Sequence, residues 1–583
     1  MKSVLFAGAL VITSALGTPA LAQNASQALT NLFAEERAVS FRECPVCATR
    51  QGVRDYDTQL SSATPESERR RLESNRAFLA RLEAIDRAAL SAQEQVSYDL
   101  FRTMMDERVR MARFNEWRLP LNSDSGFYSG ILQLHESHAP RTVLDYETYI
   151  ARLNDVPRYF NENIANMRQG MRDGWTLPRE IMPGVQQVVE GMRFARAEDL
   201  PLWRPFESFP ASVPESERAR LAEAGRQALE QSVIPAFDAF RTFFVSEYAP
   251  RARRTIAATA LPNGRAYYAN LVRDFTTLPD ATPRQIHNIG LAEVARIRAE
   301  MNEIIEEVGF EGTFTEFTTF LRTDPQFYPT SAEQLLREAA WITREIDAQM
   351  PNFFGRIPRT PYTVRPVPAH LAPNYTTGRY SSGAMGQAGQ YWVNTYALEV
   401  RPLYVLPALT AHEAAPGHHT QIALARELEN VPDFRRTFSA TAFTEGWGLY
   451  SEKLAVEMGI YHTPYQRFGR LTYEMWRACR LVVDTGMHAM GWSRQRALDY
   501  LTENTSLTSH EIRTEIDRYI AWPGQALGYK MGELKILELR RRAETELGER
   551  FDIRAFHDAV LENGAVTLPI LEQRIDAYIA AAR

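Results

Sequence analysis

Three of the 11 histidines in this chain fall within eight residues, in Thr410-Ala411-His412-Glu413-Ala414-Ala415-Pro416-Gly417-His418-His419-Thr420-Gln421. Imidazole nitrogens next to a carboxylate are a donor set for zinc. A His-Glu start also resembles zinc-peptidase sites, where the glutamate takes a proton from the attacking water. In a strict HExxH motif the second histidine stands four residues on, one turn along the same helix face; here that position is Pro416, which ligates nothing. On an unbroken helix His418 would stand about 240° around from His412, and His419 would return to the same face about 10.5 Å away. Pro416 removes a backbone donor and clashes with the carbonyl of residue 412, and Gly417 tolerates positive φ, so a kink or bulge is expected there. Looping out two residues selects His418 as the second ligand, and looping out three selects His419; both stay open.

A third ligand is expected from a neighbouring helix. Glu445, in Thr444-Glu445-Gly446-Trp447-Gly448-Leu449-Tyr450-Ser451-Glu452, follows His412 by 33 residues. That spacing lets one helix end, a loop turn at Val431-Pro432-Asp433, and a second helix return antiparallel. Two histidines and a glutamate leave zinc one position for water, the layout of a catalytic rather than a structural site. Glu452 lies on the same face two turns later, either as solvated surface or as the carboxylate that orients a ligating histidine.

The elements that must hold these residues are mostly helices. From Ser67 to Phe114 apolar residues recur with the spacing of two amphipathic helices, and Ser91-Ala92-Gln93-Glu94 reads as a capping box. Similar patterns run over Tyr146 to Asp173, Ser216 to Tyr248, Pro283 to Val308, Ser331 to Met350 and most of the chain from Thr441 to Leu547. The exception is Pro361 to Val405, rich in Pro, Gly, Tyr and Val and alternating at Tyr362 to Val367 and Gln390 to Thr395, which predicts a small antiparallel sheet just before the metal-site helix. The fold class expected is mainly α, organised as an N-terminal helical region over 23–360 and a sheet plus helical region over 361–583, the two forming one intimate unit.

Composition bounds the partners. The 583 residues are 45% hydrophobic and 24% charged with a net charge of -6, which suits a folded globular protein and offers no global attraction to nucleic acid. Residues 1–22 read as an export signal: Lys2, an apolar stretch from Val4 to Leu16, and a small-x-small site at Ala20-Leu21-Ala22. No later apolar run is long enough to span a bilayer, so a periplasmic or secreted protein without a membrane anchor after cleavage is expected. In an oxidising compartment Cys44 and Cys47 are expected to pair, and Cys479 to be a buried thiol.

Four segments carry a resemblance: His412-Glu413-x-x-Pro416-Gly417-His418-His419-x-Gln421; Glu445-Gly446-Trp447-x-Leu449-Tyr450-x-Glu452; Arg480-Leu481-Val482-Val483-Asp484-Thr485-Gly486-x-His488; and Arg518-Tyr519-Ile520-x-Trp522-Pro523-Gly524-Gln525-Ala526-Leu527-x-Tyr529-Lys530. Together they resemble the bacterial domain-of-unknown-function 885 family, whose members are grouped with helical zinc metallopeptidases of the HExxH type. The resemblance implies a large helical fold with a deep channel, and peptide hydrolysis. Within it Asp484 and His488, at i and i+4, are expected to form a satisfied structural pair, with His488 also a candidate for touching substrate. Arg480, Arg518 and Lys530 could bind a substrate's terminal carboxylate or simply pair with acids. Tyr519 and, better, Tyr529 could donate to the oxyanion that forms when water attacks a peptide carbonyl. Gly389 to Tyr396 could accept an extended peptide by strand addition, or pack in the core.

The expectation is therefore an exported peptidase using one Zn2+ on His412, His418 or His419, and Glu445, with Glu413 as base and Tyr529 as oxyanion donor, acting on short peptides, with the basic candidates hinting at cleavage from the carboxyl end. Two other classes fit the same residues: a non-catalytic metal- or peptide-binding protein, and a metal-dependent hydrolase of another amide or ester.

Overall fold

A computed structural model describes residues 18–369, 372, 375–383 and 387–583, with side chains described from residue 22 onward. The export signal expected over 1–22 lies largely outside the described residues. Helix takes 71% of the chain and strand 3%, so helix-on-helix packing builds the interior. The periodic pair near the N-terminus is present as α1 (Pro65–Glu83) and α2 (Ala92–Met111). The capping box at the start of α2 is formed: Ser91 N donates to the Glu94 carboxylate at 2.9 Å, and Glu94 N donates back to Ser91 Oγ at 3.4 Å. Cys44 and Cys47 are bonded to each other, and Cys479 is buried.

The site is carried by seven helices and three strands. In chain order they are α3 (Pro283–Glu307), β1 (Tyr362–Pro366), β2 (Gly378–Ser381), β3 (Gly389–Val393), α4 (Leu406–Glu413), α5 (His418–Arg426), α6 (Thr441–Glu457), α7 (Pro464–Ala489), α8 (Ser509–Ala521) and α9 (Gly528–Leu547). The small sheet stands where the sequence places it, with one difference. β2 pairs antiparallel with β3, but β1 pairs parallel with it, Val364 opposite Tyr391, so the sheet is mixed. The order β1-β3-β2 puts β3 in the middle. Both of its edges are taken, so strand addition along Gly389 to Tyr396 has no free backbone donors to use over the strand itself. The core-packing reading applies instead: Tyr391 and Val393 are buried.

The α7 helix decides how the interior is arranged. Apart from Trp476, every residue from Phe468 to His488 is buried, so other elements surround the helix on all sides. Yet it carries Arg470, Glu474, Arg477, Arg480, Asp484 and His488 on those buried turns. Charges taken out of water persist only when paired. Glu474 is met by Arg470 of its own helix at 2.6 Å, by Arg296 of α3, and by Lys530 of α9 at 2.7 Å. Lys530 in turn reaches Glu533 at 2.5 Å and Glu293 at 3.0 Å. With three carboxylates around a fully buried ammonium, Lys530 has nothing left to offer a ligand, which corrects its candidacy as a substrate-binding residue. It is the charge that locks α3, α7 and α9 together. Lys530→Met should therefore leave buried carboxylates unmatched and lower the free energy of unfolding by about 3–5 kcal/mol, measured by denaturant titration. A loss under about 1 kcal/mol, the value of an exposed pair, would show that the network does not hold these helices.

Candidate metal centre

The α4 helix ends at Glu413 and α5 begins at His418, so the insertion breaks the helix outright, as Pro416 requires. Gly417 does not use the positive φ that glycine permits: its φ is -74°. What it supplies is space, because a Cβ there would sit 2.0 Å from the His412 carbonyl oxygen. The break is pinned from the next helix, where Trp447 Nε1 donates to the Pro416 carbonyl at 2.9 Å.

The break turns His418, not His419, toward His412. His412 Nε2 and His418 Nε2 each lie 3.6 Å from Glu445 Oε2. One ligand atom from each of the three residues lies within 4.8 Å of the others, and among the described residues no second group of this kind occurs. Four-coordinate zinc with bonds of about 2.0–2.1 Å separates neighbouring ligand atoms by about 3.4 Å, so the residues present fit such an ion. His419 is directed elsewhere: its Nδ1 shares a hydrogen bond of 3.0 Å with the Tyr380 hydroxyl, and its ring packs on Tyr362. Burial pushes it down to about 4.

His412 is clasped by α6 from both ring nitrogens. Nδ1–H donates to Glu452 at 2.7 Å while Nε2 faces Glu445. The two acids are seven residues apart on one helix face, and Gly448 between them gives the ring its room: a Cβ at 448 would lie 2.7–3.0 Å from the imidazole atoms. Glu452 is 1% exposed, so the solvated-surface alternative does not apply and its carboxylate orients His412. Burial alone would depress the His412 imidazole, but contacts with Glu445 and Glu452 outweigh it and push it up to about 9. Burial raises the Glu445 carboxyl, yet the two histidines hold it well below the usual range. The Gln421 amide nitrogen stands 2.8 Å from His418 Nδ1 and donates to the Thr444 carbonyl at 2.8 Å, tying α5 to the start of α6. Glu413 accepts a hydrogen bond from the Tyr380 backbone N–H of β2 at 2.8 Å, so the sheet fixes this carboxylate.

Other residues singled out in the sequence fall into place around this centre or away from it. Asp484 and His488 do not bond to each other. Asp484 accepts from the Tyr268 hydroxyl at 2.5 Å and from Gly524 N, while His488 accepts from Ala258 N at 3.0 Å and donates to the Tyr519 carbonyl at 2.9 Å. Packed neighbours claimed both side chains, so their role is structural, and His488, with both ring nitrogens taken, has none left to offer a substrate. Arg518 is occupied by Glu515 at 3.3 Å and Gln525 Oε1 at 2.6 Å. The Tyr519 hydroxyl is committed as well, donating to Glu515 at 2.5 Å and accepting from Trp476 Nε1 and Arg480 Nε. Tyr529 is half-buried with its ring under the Arg480 guanidinium at 4.5 Å, and its hydroxyl bonds to no described residue. Two contributors escaped sequence reasoning, Tyr380 and Arg477, while Gln421 stood in the first motif without an assigned role. The signal for Arg477 was its place one turn before Arg480; a backbone donor such as Tyr380 N leaves no signal in sequence. A cavity of about 1170 Å3 reaches Thr441, one turn before Glu445, but none of His412, His418 or Glu445 lines it.

Comparison with known proteins agrees on fold and leaves the chemistry open. No curated protein matches this sequence. The crystal structure of a candidate lipoprotein from Colwellia psychrerythraea is 30% identical, with a TM-score of 0.88 over 96% of this chain and all of that one. A candidate lipoprotein of unknown function from Shewanella oneidensis shares the fold at 18% identity and a TM-score of 0.73, over 94% of this chain and 98% of its own. Residues 45–575 match the model of a bacterial protein family of unknown function, DUF885, and the chain belongs to that family.

Proposed function

We propose that this protein is an exported metal-dependent peptidase that hydrolyses short peptides. The observation carrying the reading is the convergence of His412 Nε2, His418 Nε2 and a Glu445 oxygen in one cluster, with the carboxylate of Glu413 at the adjoining helix end. These three residues would hold one Zn2+, which when bound supplies a Lewis acid that polarises a carbonyl and makes water acidic. Glu413, held by the Tyr380 N–H, takes a proton from the attacking water and passes it to the departing amine. The water oxygen goes to the acyl carbon as the C–N bond breaks. Tyr529 offers its hydroxyl to the oxyanion, and Glu452 keeps the His412 ring turned so that Nε2 faces Glu445.

Three outcomes test this. Glu413→Gln should lower kcat for peptide hydrolysis by about 10²–10⁴-fold while the metal content, read by elemental mass spectrometry, stays at one ion per chain. Cleavage at the wild-type rate would remove Glu413 as the base. Glu452→Gln should weaken zinc affinity by about 10–100-fold, measured by competition with a chelating dye, and an unchanged affinity would deny it the orienting role. Because the His412 imidazole is pushed up to about 9, it carries a proton at pH 7.5 that an ion must displace. Zinc affinity should thus rise about tenfold per unit as pH increases toward 9 and level off above it. Calorimetry in buffers of different ionisation heat should register close to one proton released, and none released would contradict ligation by His412.

A further inference from the structure

The buried cations of α7 divide into two kinds. Arg470 is matched by Glu474, as Lys530 of α9 is, and these groups are saturated. Arg477 and Arg480 are not. Arg480 is 2% exposed, with Nε donating to the Tyr519 hydroxyl at 2.8 Å and Nη2 lying 3.2 Å from Glu515. Its Nη1 is buried and donates to no described group. Arg477, one turn earlier, likewise leaves Nε without an acceptor, while its Nη2 lies 3.7 Å from Glu452, the carboxylate that orients His412. Glu515 is shared between Arg480, Arg518 and the Tyr519 hydroxyl, and Glu452 is shared with His412. Glu515 therefore serves three groups at once, and the Nη1 edge of Arg480 is left without an acceptor.

A buried guanidinium N–H without an acceptor is unfavourable, and the geometry holds it in place rather than letting it relax. The Arg480 plane is flanked by Trp476 at 4.3 Å and Tyr529 at 4.5 Å, and two of its nitrogens are anchored. A planar cation with a fixed orientation and an unused N–H edge is a seat for a carboxylate. Tyr529, the residue assigned above to the oxyanion, lies directly against it.

We propose that Arg480, assisted by Arg477, seats the terminal carboxylate of the substrate, so that the enzyme removes residues from the carboxyl end. This rests on the peptidase reading and names its substrate class. The zinc-loaded protein is tested with three peptides of otherwise uncharged sequence: one ending in a free carboxylate, one ending in an amide, and one amidated with an internal glutamate. The free acid should be cleaved with a kcat/KM about a hundredfold or more above the simple amide. Equal values for the free acid and the amide overturn the proposal while leaving the peptidase reading intact. Rescue of the amide by the internal glutamate overturns the terminal assignment in favour of an acidic side chain. Arg480→Lys should pull the ratio of free acid to amide toward one by raising KM for the free acid alone; a loss equal on all peptides would mark Arg480 as structural. The same peptides titrated calorimetrically into Glu413→Gln protein decide the matter without turnover: the free acid should bind at least about tenfold tighter, and equal binding overturns the carboxylate seat even if no peptide is hydrolysed.

Discussion

The hydrogen bond from His412 Nδ1 to Glu452 is the contact on which the centre depends. An imidazole has two ends, and whichever is tied down decides what the other presents. By taking Nδ1, Glu452 aims Nε2 at Glu445, two turns earlier on the same helix, and Gly448 between them keeps the slot open. A single helix face thus supplies a ligand candidate, the space for a second, and the acid that orients it. The cost of burying this much charge is offset within the cluster, which is why the imidazole is driven up and the Glu445 carboxyl down.

The same constraint explains the rest of the interior. A helix buried on every side, as α7 is, cannot leave its charged residues to water, so its neighbours have to answer each of them. At Glu474 and Lys530 the answer is complete, and the result is a joint between three helices. At Arg477 and Arg480, close to the centre, it is incomplete. The difference separates a charge that holds the fold from one that is held ready for something else, and it emerges only when the donors and acceptors of each group are counted.

Much of this was legible in the residues. Periodicity and capping signals located the helices, and alternation located the sheet, because both follow from contacts between residues near in sequence. The mixed pairing of the sheet was not legible: β2 lies between β1 and β3 along the chain but not in the sheet, and which edge of β3 each takes depends on packing outside the strands. Asp484 and His488 show the same limit. Their i, i+4 spacing permits a mutual hydrogen bond, but Tyr268 and Ala258, more than 200 residues away in the chain, supplied competing partners.

For the centre, the residue types alone determined that His412, a following histidine and Glu445 could form one donor set, since the chemistry of imidazole and carboxylate does not depend on the fold. Sequence could not choose between His418 and His419, because Pro416 destroys the regular 100° step that would have told them apart. Tertiary structure made that choice through the Trp447 contact to the break, the Gln421 link to α6, and the pocket of Tyr362 and Tyr380 that draws His419 away. Where the backbone is regular, the order of residues says which side chains share a face; where it is broken, only the surrounding packing decides even that.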